Sequence, residues 1–281
     1  MLSAEQKANY TAKGYTWPVT IMSVEEAARY RQCFERYEAE NGGWYELSKG
    51  QKLYLLQRWV ADLVSHDKIL DAVADVLGPD VLCWAVALFV KEAGSTSYVS
   101  WHQDSTYWGL SSPDVVTAWL ALSPATLESG CMKMVPGGAE LAQMPHHDSL
   151  ASDNLLSRGQ EIMVDVDDDD AEFAILEPGQ ISLHNIRTVH ASEPNHSADR
   201  RIGLAIRYIA PHVYQTGAKG DSAWLVRGSD EYGHFIHETP ARSDMDESAL
   251  AEYARIMKLR QGVLYQGVQG KPAHVDIDAT S

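Results

Sequence analysis

Residues 97–108 read SYVSWHQDSTYW, an aromatic and β-branched run broken by His102 and Asp104 two positions apart. On a strand, residues i and i+2 project from one face, so an imidazole and a carboxylate stand side by side while Gln103 turns away. Such a pair is either two teeth of a metal clamp or a hydrogen-bonded couple that satisfies itself in the interior. A second stretch, EPGQISLHNIRTVHASEPNHSADRRIGLAIRY, offers a third ligand. In it, His184 and His190 share a parity, and both face inward if the strand after Pro178 and Gly179 runs unbroken. Two histidines and one carboxylate on one face of an octahedral ion leave three positions open, the arrangement used by non-haem Fe(II) oxygenases. Hydrolytic zinc sites use the same ligand types, so the ligands alone do not choose the metal. A 2-oxoacid filling two open positions can supply the electrons that dioxygen activation needs. Its far carboxylate then calls for a guanidinium fork. Arg201, eleven residues beyond His190, and its neighbour Arg200 are the candidates, with Ser192 as a hydroxyl donor.

These residues need a scaffold that brings distant strands together. Between Val81 and Tyr208, short strand-like runs recur between turn signals: VLCWAVALFV, SYVSWHQ, DVVTAWLALS, CMKMVPGG, GQISLHN and RIGLAIRYI. No helical pattern alternates with them, which argues against a doubly wound parallel sheet and for an antiparallel jelly roll. The first eighty residues are helical in pattern. SVEEAARYRQCFERYEAENGG opens with Ser23 three residues before Glu26, a capping-box spacing, and closes on Gly42 and Gly43. KLYLLQRWVADLVSHDKILDAVADVLGPD predicts two helices broken near Ser65. After Pro211 the sequence is loop-like, with a helix expected from Asp244 to about Arg260. With no linker or repeat, residues 1–281 are expected to form one α+β domain with a mainly β core. It comprises a helical part to about residue 80, a double-stranded β-helix (jelly roll, cupin-like) to about residue 210, and a C-terminal loop and helix.

Composition narrows the partners. A chain of 281 residues, 45% hydrophobic with eight tryptophans, can bury a large core. Its formal charge of −16 leaves no basic field for nucleic acid or anionic membrane, so a small molecule is the expected partner. That charge weakly disfavours strongly anionic substrates, although Arg227, His234 and His237 can form a local positive patch. No apolar run approaches the roughly 18 residues that would span a bilayer, and Cys33, Cys83 and Cys131 lack disulfide spacing, so a cytoplasmic location is expected. DVDDDD at 165–170 lacks an EF-hand's glycine and glutamate and reads as a solvated turn; PHHDS, with His146 and His147, reads as a surface loop.

WHQDSTYWGLSSPDVVTAWLALSPATLESGCMKMVPGG and the second stretch quoted above together resemble the phytanoyl-CoA dioxygenase family of Fe(II)- and 2-oxoglutarate-dependent oxygenases, over roughly a quarter of the chain. GYTWP and RGSDEYGHF are similar to bacterial members. The resemblance implies that His102, Asp104 and His190 bind Fe(II), that Arg201 and Ser192 hold 2-oxoglutarate, and that Trp119 lines its pocket. It implies weaker cosubstrate contacts for Gln103 and Thr117, and makes His184 a neighbour and not a ligand. Tyr107, Trp108, Trp224 and Arg227 are the substrate-side candidates. Halogenating relatives replace the carboxylate at position 104 with Gly or Ala, so Asp104 implies hydroxylation by O2 of an unactivated C–H bond, with release of succinate and CO2. The other readings are a zinc hydrolase, for which no HExxH occurs, and a binding module without catalysis.

Overall fold

A computed structural model describes residues 1–43, 52–137, 141–149, 153–156, 160–163, 166–217 and 220–264. Two β-sheets face each other. The larger has seven strands in the order β1(Tyr15–Thr20), β9(Gln180–Asn185), β4(Val115–Ala121), β11(Arg201–Ile209), β2(Val81–Lys91), β12(Ser222–Arg227) and β13(Ile236–His237). The smaller runs β3(Val99–His102), β10(Val189–Ser192), β5(Met132–Val135) and β8(Glu172–Ala174). β6(His146–Asp148) and β7(Gln160–Ile162) form a separate two-stranded ribbon that packs beside β3. All pairings are antiparallel except β12 with β13.

The larger sheet is buried on both faces, and its alternation separates two chemistries. On β11, Ile202, Leu204, Ile206 and Tyr208 join the main core with Val116, Ala118, Leu120, Ile181, Leu183, Val86 and Leu88 from the neighbouring strands. Helices cover that face: α1(Ala4–Lys13) through Tyr10, α2(Val24–Glu40) through Phe34, α3(Arg58–Val64) through Val60 and Leu63, and α4(Asp67–Leu77) through Ile69 and Val73. The alternate residues of β11, Arg201, Gly203, Ala205 and Arg207, point into the space between the sheets, where Ala205 packs with Trp119, Cys131, Met132 and Met134. Burial of a whole strand therefore hides a polar inner face.

Sequence pattern locates most elements. Ser23 caps α2, its side chain accepting from the Glu26 N–H, and α3 and α4 break at Ser65. The C-terminal helix runs Glu247–Leu264, and no helix among the described residues is long and apolar enough to cross a membrane. Two segments differ from expectation. Tyr15–Thr20, inside the supposedly helical N-terminal part, is the edge strand beside β9, with Pro18 lying where the pairing slips between Thr16 and Val19. An edge strand tolerates a residue without an N–H, and a six-residue run holding proline gives little strand signal. Ser222–Arg227, expected as loop, pairs with β2. The PHHDS loop likewise becomes β6, while Asp168 of the acidic run receives Lys133 Nζ at 2.7 Å; Asp165 lies outside the described residues.

Candidate metal centre

His102 ends β3 and His190 sits directly opposite it on β10, their rings 4.1 Å apart. Each imidazole has its Nδ1 2.9 Å from the carbonyl two residues back, Ser100 for His102 and Thr188 for His190. A carbonyl only accepts, so Nδ1 carries the proton and Nε2 presents its lone pair to the cavity. Asp104 joins them by a route the parity argument does not give. The strand stops at His102, and Asp104 takes a helical conformation (φ −62°, ψ −32°) at the start of a short helix, Ser105–Trp108. That turn brings its Oδ1 to 3.6 Å from His102 Nε2. One ligand atom from each of His102, Asp104 and His190 lies within 4.8 Å of the others.

Electrostatics suits these groups to a cation. Burial pushes the Asp104 carboxyl up, but the neighbouring imidazoles of His102 and His190 and the Arg207 guanidinium outweigh it and hold the group well below the usual carboxylate range. Burial, with His102 and His184 nearby, pushes His190 well down, so it stays neutral. An ionised carboxylate and neutral imidazoles are the protonation states that metal ligation requires.

His184 also reaches this space, but not along one strand. The chain leaves β9 at Asn185, turns with the Thr188 N–H donating to the Asn185 carbonyl at 3.0 Å, and enters the other sheet as β10. His184 and His190 therefore face one another from opposite sheets, rings 4.8 Å apart.

Arg201 lies 1% exposed, its Nη1 donating to the Gly130 carbonyl at 2.6 Å and its Cζ 5.3 Å from the Trp119 ring centre. Its Nε has no partner, and neither do Thr117 Oγ1, Ser182 Oγ and His184 Nδ1. Buried polar groups are nearly always paired, so these unpaired ones mark places for polar occupants. Ser192 Oγ accepts from Lys91 Nζ at 2.7 Å, and Lys91 is the register partner of Arg201. Burial, then the Arg201 charge, push Lys91 down to about 6, with Glu193 and Cys131 opposing. Burial pushes Arg201 down to about 10 against the opposing pull of Cys131. A buried guanidinium with an amine donor beside it forms an anion site. Gly130, whose carbonyl takes the Arg201 bond, must be glycine: at φ 68°, a Cβ there would meet the Glu193 carbonyl oxygen at 2.1 Å. Arg200 points the other way, in a two-pronged pair with Glu38 at 2.8 Å and a third bond to Glu92.

Several sequence candidates sit elsewhere. Gln103 is fully buried, but its amide donates to the carbonyls of Ala142 and Arg187 and accepts from Met144 N and Gln143 Nε2. Those bonds hold the 142–144 segment and leave nothing for a cosubstrate. Its backbone N–H donates to His146 Nε2 at 3.0 Å, which ties β6 to the turn bearing Asp104. Trp224 packs on the helix-covered core beside Tyr54, and Arg227 pairs with Asp71 of α4 at 2.6 Å, so both lie on the face away from the metal centre. His237 pairs with Asp230, which removes the expected positive patch. The Tyr107 side chain lies outside the described residues. Trp108 faces inward, 4.8 Å beneath the Arg207 guanidinium. Sequence reading missed Lys91 and Arg207. The parity of Arg207 with Arg201 on RIGLAIRYI was a usable signal for one, while Lys91 depends on a pairing across more than a hundred residues.

The family model described as phytanoyl-CoA dioxygenase (PhyH) matches residues 10–203. A probable alpha-ketoglutarate-dependent hypophosphite dioxygenase of Stutzerimonas stutzeri is 27% identical over 83% of this chain and 84% of its own. The solved structure of the non-heme monooxygenase ThoJ, in apo form, superposes with a TM-score of 0.83 at 35% identity, covering 93% of this chain and 98% of that one. CytC3 with Fe(II) and alpha-ketoglutarate, at 23% identity and a TM-score of 0.65 over 88% and 96%, shares the fold. These matches lend no support to a zinc hydrolase or a non-catalytic module. The chain belongs to the phytanoyl-CoA dioxygenase family.

Proposed function

We propose that this chain is a single-domain Fe(II)- and 2-oxoglutarate-dependent dioxygenase that hydroxylates an unactivated C–H bond of a small molecule in the cytoplasm. The observation that carries the reading is the convergence of His102, Asp104 and His190 within 4.8 Å, beside the unpaired Arg201 Nε. His102 and His190 would hold the metal through Nε2, fixed in tautomer and orientation by the Ser100 and Thr188 carbonyls. Asp104 would supply the third ligand and the negative charge. Held there with 2-oxoglutarate, Fe(II) would supply the oxidation of a C–H bond by dioxygen, with 2-oxoglutarate converted to succinate and CO2.

The chain's own groups arrange the partners. Arg201 and Ser192 receive the far carboxylate of 2-oxoglutarate, and Lys91 fixes the Ser192 hydroxyl from behind. Trp119 lies along the guanidinium and walls that pocket from water. Thr117, whose hydroxyl is unpaired, stands next along β4. Hydroxylation is favoured over halide transfer because a carboxylate, and not glycine or alanine, stands at position 104. The test is succinate formation from 2-oxoglutarate under air with Fe(II). Turnover is expected to vanish in His190→Ala and Asp104→Ala; succinate release unchanged in both variants, or hydrolysis without oxygen, refutes the reading.

A further inference from the structure

The inner face of the larger sheet carries a polar row in which Arg207 and His184 have no role in the reading above. Register fixes it: His184 on β9 pairs with Thr117 on β4, and Thr117 with Arg207 on β11. Directly opposed residues of neighbouring antiparallel strands present side chains about 5 Å apart on one face. The next position, on β2, is Ala85, which leaves space beside the guanidinium. All three polar residues are buried, and Thr117 Oγ1 and His184 Nδ1 lack partners. Arg207 lies over Trp108, which Trp84 braces at 5.3 Å, and its charge acts on both Asp104 and His184. Asp221, behind Trp84, accepts from that indole at 2.7 Å.

This row is separate from the cosubstrate pocket. Arg201 and Arg207 share the inner face of β11 but stand six residues apart, roughly 20 Å along an extended strand. Trp119 crosses the interval above Gly203. A five-carbon diacid held at Arg201 therefore does not reach Arg207. The two guanidiniums are built alike, each laid against an indole. Charge points the same way. None of the seven strands of this sheet contains an aspartate or glutamate, whereas Lys91, Arg201 and Arg207 are buried on its inner face.

We propose that Arg207, laid on Trp108 and standing in one row with Thr117 and His184, anchors an anionic oxyacid group of the primary substrate, so that this enzyme oxidises a small carboxylate, phosphonate or sulfonate. The planar fork meets two oxygens of such a group, while the hydroxyl and imidazole complete its hydrogen bonds. The assignment rests on the proposed Fe(II)/2-oxoglutarate reading, because it takes Asp104 for the metal and Arg201 for the cosubstrate.

The test uses the full chain, loaded without oxygen with Fe(II) and 2-oxoglutarate. Thermal stabilisation is titrated with propionate, methylphosphonate and methanesulfonate, which separate the three anion classes, and with neutral propionamide. At least one anion is expected to stabilise the loaded protein, with propionamide about tenfold or more weaker. Arg207→Gln is expected to weaken that anion by about 30-fold or more, while Arg201→Gln instead loses 2-oxoglutarate. If Arg207→Gln does not fold, Arg207→Lys, which keeps the charge and loses the fork, must still weaken the anion while retaining 2-oxoglutarate. Binding of 2-oxoglutarate with no preference for any anion over the amide overturns the inference, as does anion binding indifferent to position 207. Failure of the wild-type chain to bind 2-oxoglutarate with Fe(II) refutes the underlying reading instead.

Discussion

Replacing Gly203 by alanine probes the wall between the two compartments. A Cβ at this position would stand 1.9 Å from Cζ2 of Trp119, 2.4 Å from Cε2 and 2.5 Å from Cη2. Carbon atoms pack best at about 3.5–4.0 Å, so the ring must retreat by about 1.6–2.1 Å. It has little freedom to do so, because the indole is 3% exposed and lies along the buried Arg201. Overpacking typically costs about 1–3 kcal/mol, and a rigid buried ring places this case in the upper half of that range. At about 2–4 °C per kcal/mol for a large domain, the melting midpoint is expected to fall by roughly 4–12 °C. The retreating ring presses on the guanidinium, so 2-oxoglutarate affinity falls about tenfold or more, equivalent to about 1.4 kcal/mol. Circular dichroism melts and an anaerobic 2-oxoglutarate titration read both effects. Trp119→Phe combined with Gly203→Ala should be less destabilised than the sum of the single changes, because the smaller ring relieves the clash. A Gly203→Ala variant that melts and binds like the parent refutes the placement of Trp119.

Asp104→Ala should weaken metal binding by at least ~100-fold, beyond the usual effect of losing an outer-shell partner, as read by competition with a chelator. Lys91 titrates near 6 in the fold, below its ordinary 10.5, so between those values the unfolded chain holds more protons and stability rises with pH. Lys91→Met should remove close to one proton from that linkage; superimposable stability profiles from about pH 7 to about pH 9 argue against it. Arg227→Gln should cost no more than ~1 kcal/mol, since its pair with Asp71 is about one-third exposed on each side (33% and 39%), and should leave turnover unchanged. Loss of turnover would restore Arg227 to the substrate side. Chelation should lower the melting midpoint, because a ligand at 100 times its Kd adds about 2.7 kcal/mol. Hydrogen exchange should locate that loss in β3 and β10, where His102 and His190 pair, and spare β4 and β11.

What the sequence makes legible depends on how local each signal is. The six strand-like runs from Val81 to Tyr208 are all strands, because punctuation by Gly, Pro and Ser and enrichment in β-branched residues are local properties. His102 and Asp104 were legible as a pair, but for the wrong geometric reason: a turn after the strand, not strand parity, aims the carboxylate. His184 and His190 do both face inward, yet from two sheets, because the chain crosses between them at 186–188. Gln103 was misread for the same cause, since its amide partners come from 142–144 and 187, which no local pattern announces. Lys91 needs the β2–β11 pairing, and β1 needs its partner β9 before Tyr15–Thr20 makes sense as a strand.

Net charge misleads most about the site, and the reason is spatial. A formal charge of −16 weighs against an anionic ligand only if the acids lie near the ligand. Here they gather on helices, turns and loops: Glu38 and Asp71 on the covering helices, Asp168–Asp170 on a short 3-10 turn, and Asp199 beside Arg31. Water and counterions screen such charges within about 8–10 Å. The strands of the larger sheet exclude acids altogether and bury Lys91, Arg201 and Arg207 in a space where screening is weak. A ligand entering that space meets the local cations and not the chain's total. The strand sequences, read by parity, are therefore the better guide to what this cavity accepts.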